Sequence, residues 1–115
     1  MKFYSYDKCS TCKKAEKFLL ENGIDFKKID IATKPPSKAE LTKMLSLQDG
    51  DLKKLFNTNG KIYRDLNLKE KVGTISKEEA FQLLTSNGML VKRPFILGDN
   101  VGLVGFKVDQ WQSLN

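Results

Sequence analysis

The stretch Lys2-Phe3-Tyr4-Ser5-Tyr6-Asp7-Lys8-Cys9-Ser10-Thr11-Cys12-Lys13-Lys14-Ala15 reads as a short aromatic strand running straight into a helix, with two cysteines at the junction. Lys2 to Tyr6 has the aromatic content of a strand. From Thr11 to Asn22, Cys12, Ala15, Phe18, Leu19 and Asn22 recur three or four positions apart, and Lys13, Lys14, Lys17 and Glu21 take the opposite side. That is the period of an amphipathic helix. Asn22-Gly23 is a helix stop, and Phe26 to Ile31 predicts a second strand. The unit is therefore βαβ, with Cys9-Ser10-Thr11-Cys12 on the turn that opens its helix.

Downstream, Pro35-Pro36 breaks the chain and Ser37-Lys38-Ala39-Glu40 forms a capping box, with Leu41, Met44 and Leu45 as the apolar face of a helix ending near Asp49-Gly50. Lys53 to Gly60 reads as a short helix followed by a turn, Tyr63-Arg64-Asp65 as turn, and Leu66 to Val72 as one helix. Ser76-Lys77-Glu78-Glu79 is a second capping box, opening a helix with Ala80, Phe81, Leu83 and Leu84 that stops at Asn87-Gly88. Pro94 to Leu97 and Gly102 to Val104 predict a hairpin turning through Gly98-Asp99-Asn100, and Val108 and Trp111 a short final helix. A βαβ half, a helical insert and a ββα half make an α/β, thioredoxin-like fold, expected as one domain over residues 1–115.

Composition narrows the chemistry. The chain is 40% hydrophobic and 30% charged, ordinary for a globular protein. Twenty Lys and Arg against 14 Asp and Glu give a formal charge of +6. The lysines are spread along the chain among acidic residues, the pattern of a solvated surface, so direct nucleic-acid binding is not expected. No apolar run approaches the roughly 20 residues of a membrane span, and the N-terminus has no signal-peptide core. The expected setting is the cytoplasm, where thiols are held reduced. Histidine is absent, which excludes a Cys-His pair and histidine metal ligation.

The two cysteines are three positions apart and cannot build a disulfide framework, so reactivity explains them best. Cys9, before the helix, meets its positive N-terminal end, with Lys8, Lys13 and Lys14 adding charge and Asp7 opposing it if turned inward. Cys9 is the candidate nucleophile and Cys12 the candidate resolving thiol, able to close a reversible disulfide. The alternatives are two unreactive cysteines with Cys12 in the core, or a zinc site, for which two of four ligands would be missing. In the thioredoxin plan, Pro94 is the place of a cis-proline beside the nucleophile, and Arg93 would then aim its fork at an anion or the thiolate. Otherwise the pair is an ordinary strand-edge proline with a solvated arginine.

These residues together resemble the arsenate-reductase-like family, which also contains the Spx and MgsR redox regulators. The resemblance covers nearly the whole chain. It rests on Tyr4 with Cys9-Ser-Thr-Cys12-Lys-Lys-Ala15, Lys34-Pro-Pro-Ser37, Leu55-Phe-Asn-Thr-Asn-Gly-Lys-Ile-Tyr63-Arg-Asp-Leu-Asn-Leu68, Gly88-Met-Leu-Val-Lys-Arg-Pro94 and Val104-Gly-Phe106. It implies a thioredoxin-like domain with a helical insert. The family's glutaredoxin-coupled arsenate reductases surround the catalytic cysteine with three arginines. Arg93 matches one, whereas Asn57 and Gly105 stand at the other two. The resemblance therefore implies a thiol-disulfide or thiol-dependent reductase with arsenate reduction weak or absent. Its reductant would be glutathione, glutaredoxin or thioredoxin, with no bound cofactor. No metal is expected, and the chain is expected to act as a monomer. Alternatively it implies a redox regulator that binds the C-terminal domain of the RNA polymerase α subunit, for which a glycine near Gly50 matters.

Overall fold

The computed structural model describes residues 1–114. Strand β1 (Lys2–Ser5) leads into helix α1 (Ser10–Glu21), which returns the chain to β2 (Lys27–Asp30). The insert follows: α2 (Lys38–Leu47), a 3-10 turn at Leu52–Leu55, α3 (Lys61–Asp65), α4 (Leu68–Lys71), α5 (Lys77–Ser86) and a second 3-10 turn at Gly88–Leu90. The chain closes with β3 (Phe95–Leu97), β4 (Gly102–Val104), α6 (Val108–Trp111) and a last 3-10 turn at Gln112–Leu114.

The strands form one sheet in the order β2-β1-β3-β4. β1 and β2 run parallel, while β3 is antiparallel to both β1 and β4. This is the expected thioredoxin-like arrangement. Because side chains alternate along a strand, the two central strands feed two cores. Phe3 and Ile96 pack on one face with Ala15 and Leu19 of α1 and with Trp111, where Trp111 meets Phe3, Phe18 and Phe106 edge-on. Tyr4, Phe95 and Leu97 pack on the other face with Leu41 and Met44 of α2 and Phe81 and Leu84 of α5. Tyr4 and Phe95 are cross-strand partners whose rings meet edge to face at 5.6 Å.

Local chemistry sets most boundaries. The α1 stop is a left-handed Gly23 (φ 63°), after which the Ile24 N–H bonds the Leu19 carbonyl. Ser37 and Glu40 close the predicted capping box on α2. At α5 the Ser76 side chain accepts the Glu79 N–H, as expected of the second box.

The middle of the insert differs from expectation. Asn67 adopts the left-handed region (φ 55°), so the helix predicted over Leu66 to Val72 is confined to Leu68–Lys71. Asparagine tolerates that conformation, and one such residue interrupts a helix. Tyr63-Arg64-Asp65, read as turn, lies instead in α3, which starts after Gly60, buries Tyr63 against Phe56 and carries a Lys61–Asp65 ion pair at 2.8 Å. Its five residues are too few for periodicity to reveal.

Candidate functional site

Cys9 is the N-cap of α1, one residue before the helix begins. Its backbone is extended (φ −98°, ψ 113°), and its sulfur accepts the Cys12 backbone N–H at 3.3 Å. Helix N-termini leave such donors unsatisfied, and a sulfur that takes one gains more as a thiolate than as a thiol. Cys9 is half-buried and Cys12 fully buried on the first turn, and both thiols are free.

Their electrostatics diverge. Burial pushes the Cys9 thiol up, but the Cys12 thiol, the Cys12 N–H and the Arg93 guanidinium together outweigh it and hold Cys9 below the ordinary thiol range. Burial is also the largest influence on Cys12; with the neighbouring Cys9 sulfur adding to it, the Cys12 thiol is pushed up to about 12. The asymmetry has the expected direction, with the helix N-terminus acting through the Cys12 N–H and burial raising Cys12; of the expected cations, it is Arg93 and not the lysines that acts on Cys9. Lys8, Lys13 and Lys14 are exposed, and Arg93 is the cation acting on Cys9. Asp7 points outward and reaches Lys28 at 3.7 Å.

Arg93 is joined to Pro94 by a cis peptide immediately before β3. Its guanidinium lies 5.2 Å from the centroid of the Tyr6 ring, and Nη1 approaches the Met89 sulfur at 3.9 Å. Tyr6 also accepts the Cys9 N–H through its carbonyl at 3.0 Å. One residue thus contacts both the cysteine turn and the arginine, a role that reading it as the end of an aromatic strand, which β1 (Lys2–Ser5) stops short of, gave no means of seeing.

Cys9 and Arg93 open into a cleft of about 620 Å³ whose walls include Thr11, Asn57, Lys92 and Gly105. The two positions singled out by resemblance, Asn57 and Gly105, are therefore brought to the same cleft as Cys9 and Arg93. Gly105 has φ 73°, its N–H bonds the Pro94 carbonyl at 2.8 Å and its carbonyl accepts the Trp111 indole N–H at 3.0 Å. A Cβ at Gly105 would stand 3.1 Å from Lys92 Cε, so a side chain there meets both backbone strain and the lysine. The cleft also collects Lys53, Lys54 and Lys107, which the sequence scatters among acidic neighbours. Among the described residues no three Cys, Asp or Glu side chains converge as metal ligands, and no helix is long and apolar enough to cross a membrane.

A CxxC pair capping the first helix of a βαβ-insert-ββα sheet defines a thioredoxin-like protein of the arsenate-reductase-related kind. The chain belongs to the ArsC family, whose model matches residues 4–114. It is 50% identical to the uncharacterized protein YusI of Bacillus subtilis over 111 residues, 96% of this chain and 94% of that one. It is 27% identical to the global transcriptional regulator Spx of Lactiplantibacillus plantarum over 93% of this chain and 80% of the regulator. A crystal structure described as a possible arsenate reductase from Streptococcus mutans superposes with a TM-score of 0.89 at 38% identity, covering 98% of this chain and 95% of that one.

Proposed function

We propose that the chain is a cytoplasmic thiol-disulfide reductase working through Cys9. What supports this most is the Cys9 sulfur itself, half-buried at a helix N-cap, holding the Cys12 N–H at 3.3 Å and opening into a cleft it shares with Arg93. The Cys9 thiolate attacks a disulfide R–S–S–R′, forming Cys9–S–S–R and releasing R′–S⁻, which takes a proton from solvent. Charge on Cys9 is then gone, which removes part of what holds the Cys12 proton. The Cys12 thiolate attacks the Cys9 sulfur, closes the Cys9–Cys12 disulfide and expels R–S⁻. Two electrons pass from the two cysteines to the substrate. Glutathione, glutaredoxin or thioredoxin returns them.

Arsenate is a poor substrate in this reading. It is largely dianionic near neutral pH, and attack by a thiolate adds charge where Arg93 is the one guanidinium on the cleft. Asn57 offers a neutral hydrogen bond and Gly105 only backbone, and neither replaces a bidentate arginine. The test is an assay of the purified protein against glutathione mixed disulfides and arsenate, with glutaredoxin and thioredoxin systems supplied in turn. Turnover of disulfide that is lost in Cys9→Ser is the expected result; no turnover with any reductant counts against the proposal.

A second reading draws on the loop after α2, where Asp49 (φ 59°) and Gly50 (φ 76°) both take left-handed conformations. Gly50 lies close to the place of the glycine expected in Spx-type regulators, and several relatives are named Spx. In that reading the Cys9–Cys12 pair is a switch changing the surface offered to the α subunit of RNA polymerase. Oxidation-dependent binding to that subunit, with no disulfide turnover, would favour it over the enzyme.

A further inference from the structure

Four lysines line the cleft with Cys9: Lys53, Lys54, Lys92 and Lys107. Elsewhere Lys2, Lys17, Lys28 and Lys61 are each paired with a carboxylate. Those ion pairs include none of the four cleft lysines, and none of the four donates a side-chain hydrogen bond among the described residues. Asp51 is the one carboxylate on the cleft wall, and it accepts the Lys53 backbone N–H at 3.1 Å as the cap of a 3-10 turn. With Arg93, five cations face a single carboxylate.

Lys92 is the best placed of them. It is half-buried, and its backbone N–H is tied to the Leu55 carbonyl at 2.8 Å. Its Cε lies beside Gly105, where a Cβ would come within 3.1 Å of it. Gly105 is itself fixed through Pro94 and Trp111. The end of the lysine side chain therefore sits beside a fixed glycine, and its ammonium has no ion pair or side-chain hydrogen bond among the described residues. Charge spread over a cleft of about 620 Å³, with one guanidinium acting on the sulfur, does not suit a compact oxyanion. It suits a small, extended ligand that is neutral at its reacting sulfur and anionic further out.

We propose that this cleft selects small disulfides whose flanking groups carry carboxylates, and that Lys92, admitted by the missing side chain of Gly105, binds one of those carboxylates. The inference rests on Cys9 acting as the disulfide-attacking thiolate, by the exchange already written. The carboxylates take no part in bond making and leave with the released thiol.

Three probes separate the two claims: 3,3′-dithiodipropionate, which is anionic, 2-hydroxyethyl disulfide, which is neutral, and cystamine, which is cationic. Each rate constant for exchange with the reduced protein is divided by that of a small reference thiolate, which cancels intrinsic disulfide reactivity. The anionic probe should be favoured over the neutral one by about tenfold at low ionic strength, the cationic probe disfavoured, and the preference largely erased at about 0.5 M salt. Lys92→Gln should cut the anionic-to-neutral ratio by about threefold or more, and Lys92→Arg should preserve it. Lys77→Gln removes the same charge from an exposed site on α5 and should leave the ratio nearly unchanged, which separates a local contact from the overall charge of +6. Equal normalised rates for the three probes, or a ratio that falls equally in Lys77→Gln and Lys92→Gln, would overturn the assignment while leaving the reductase intact. Failure of Cys9 to exchange with any probe would remove the reductase reading and this inference with it.

Discussion

The sulfur of Cys9 holds the backbone N–H of Cys12 at 3.3 Å, so the residue proposed to attack is also the cap of the helix that carries Cys12. One contact satisfies a helix end and favours a thiolate. It also places the two sulfurs in unequal surroundings, one opening into a cleft and the other buried behind it.

Alkylation of single-cysteine variants should therefore give separate pH profiles. Cys12→Ser, which keeps Cys9 and puts a hydroxyl donor in place of the Cys12 thiol beside the unchanged position-12 N–H and Arg93, should react with iodoacetamide from below the ordinary thiol range. Cys9→Ser, which keeps Cys12, loses the upward push of the Cys9 sulfur, so its midpoint should fall below 12 yet stay above the ordinary range, because burial is the main cause there. Coincident profiles would contradict the asymmetric roles.

Tyr6 should act as a positioning residue for Arg93. An arginine held over a ring gains roughly 0.5–1 kcal/mol at such sites. Arg93→Ala should move the Cys9 alkylation midpoint upward. Tyr6→Leu should move it part of the way, by up to about 0.5 pH, while Tyr6→Phe, which keeps the ring, should not. Once Arg93 is alanine, Tyr6→Leu should add nothing; an independent effect there would place Tyr6 outside the arginine's support.

Gly88 packs directly on the backbone of the β2 exit. A Cβ at that position would stand 1.7 Å from the Ile31 carbonyl oxygen and 2.7 Å from its carbon, and Ile31 is fully buried and bonded through its N–H to Ser5. Neither backbone can yield cheaply. Gly88→Ala should lower stability by more than about 3 kcal/mol in urea unfolding. Gly73→Ala, with nothing within 4 Å, should change it by less than about 0.5 kcal/mol. Similar midpoints for the two variants would rule out this close approach.

Glu40 ties the insert to the sheet. Its carboxylate accepts from Tyr4 Oη at 2.7 Å, Lys2 Nζ at 2.8 Å and the Ser37 N–H at 2.9 Å. Burial pushes its carboxyl up, but these partners prevail and hold it at about 2, below the ordinary 4.5. With the folded value the lower one, the stabilisation is present above about 4.5 and is lost as pH falls through 2. Glu40→Gln should cost on the order of 2 kcal/mol at neutral pH and flatten the acid limb of the stability profile between these values. Parallel acid limbs for the two proteins would show that Glu40 is not the titrating group.

Arsenate reduction should be absent or very slow in the natural sequence, and Asn57→Arg should raise it by about tenfold or more, given the cost of a missing charge partner. Gly105→Arg should not help, because φ there is 73° and Lys92 Cε occupies the approach at 3.1 Å. Fast, saturable reduction of arsenate by the unaltered protein would show that one arginine suffices.

The sequence alone determined the elements whose signals are local. The βαβ start, the helix stop at Asn22-Gly23, the Ser37 capping box and the turn through Gly98-Asp99-Asn100 depend on hydrogen bonds and apolar spacing within a few residues. They could be read from those residues without knowing what lay opposite. The short insert helices could not, because α3 is set by burial of Tyr63 against Phe56 and α4 by one left-handed Asn67, neither of which leaves a periodic trace. Cys9 and Cys12 were legible as a candidate pair for the same local reason, and Arg93 before Pro94 as a candidate partner of the thiolate, but which of the nearby cations acts on Cys9 was not. Lys8, Lys13 and Lys14 are their neighbours in the chain, yet the cation that reaches Cys9 is Arg93, carried there by β3 pairing with β1. Tertiary structure likewise gathered Lys53, Lys54, Lys92 and Lys107 around one cleft and left Gly105 bare beside Lys92. A cleft is a property of segments that meet after folding, and Coulomb forces depend on distance through space rather than along the chain.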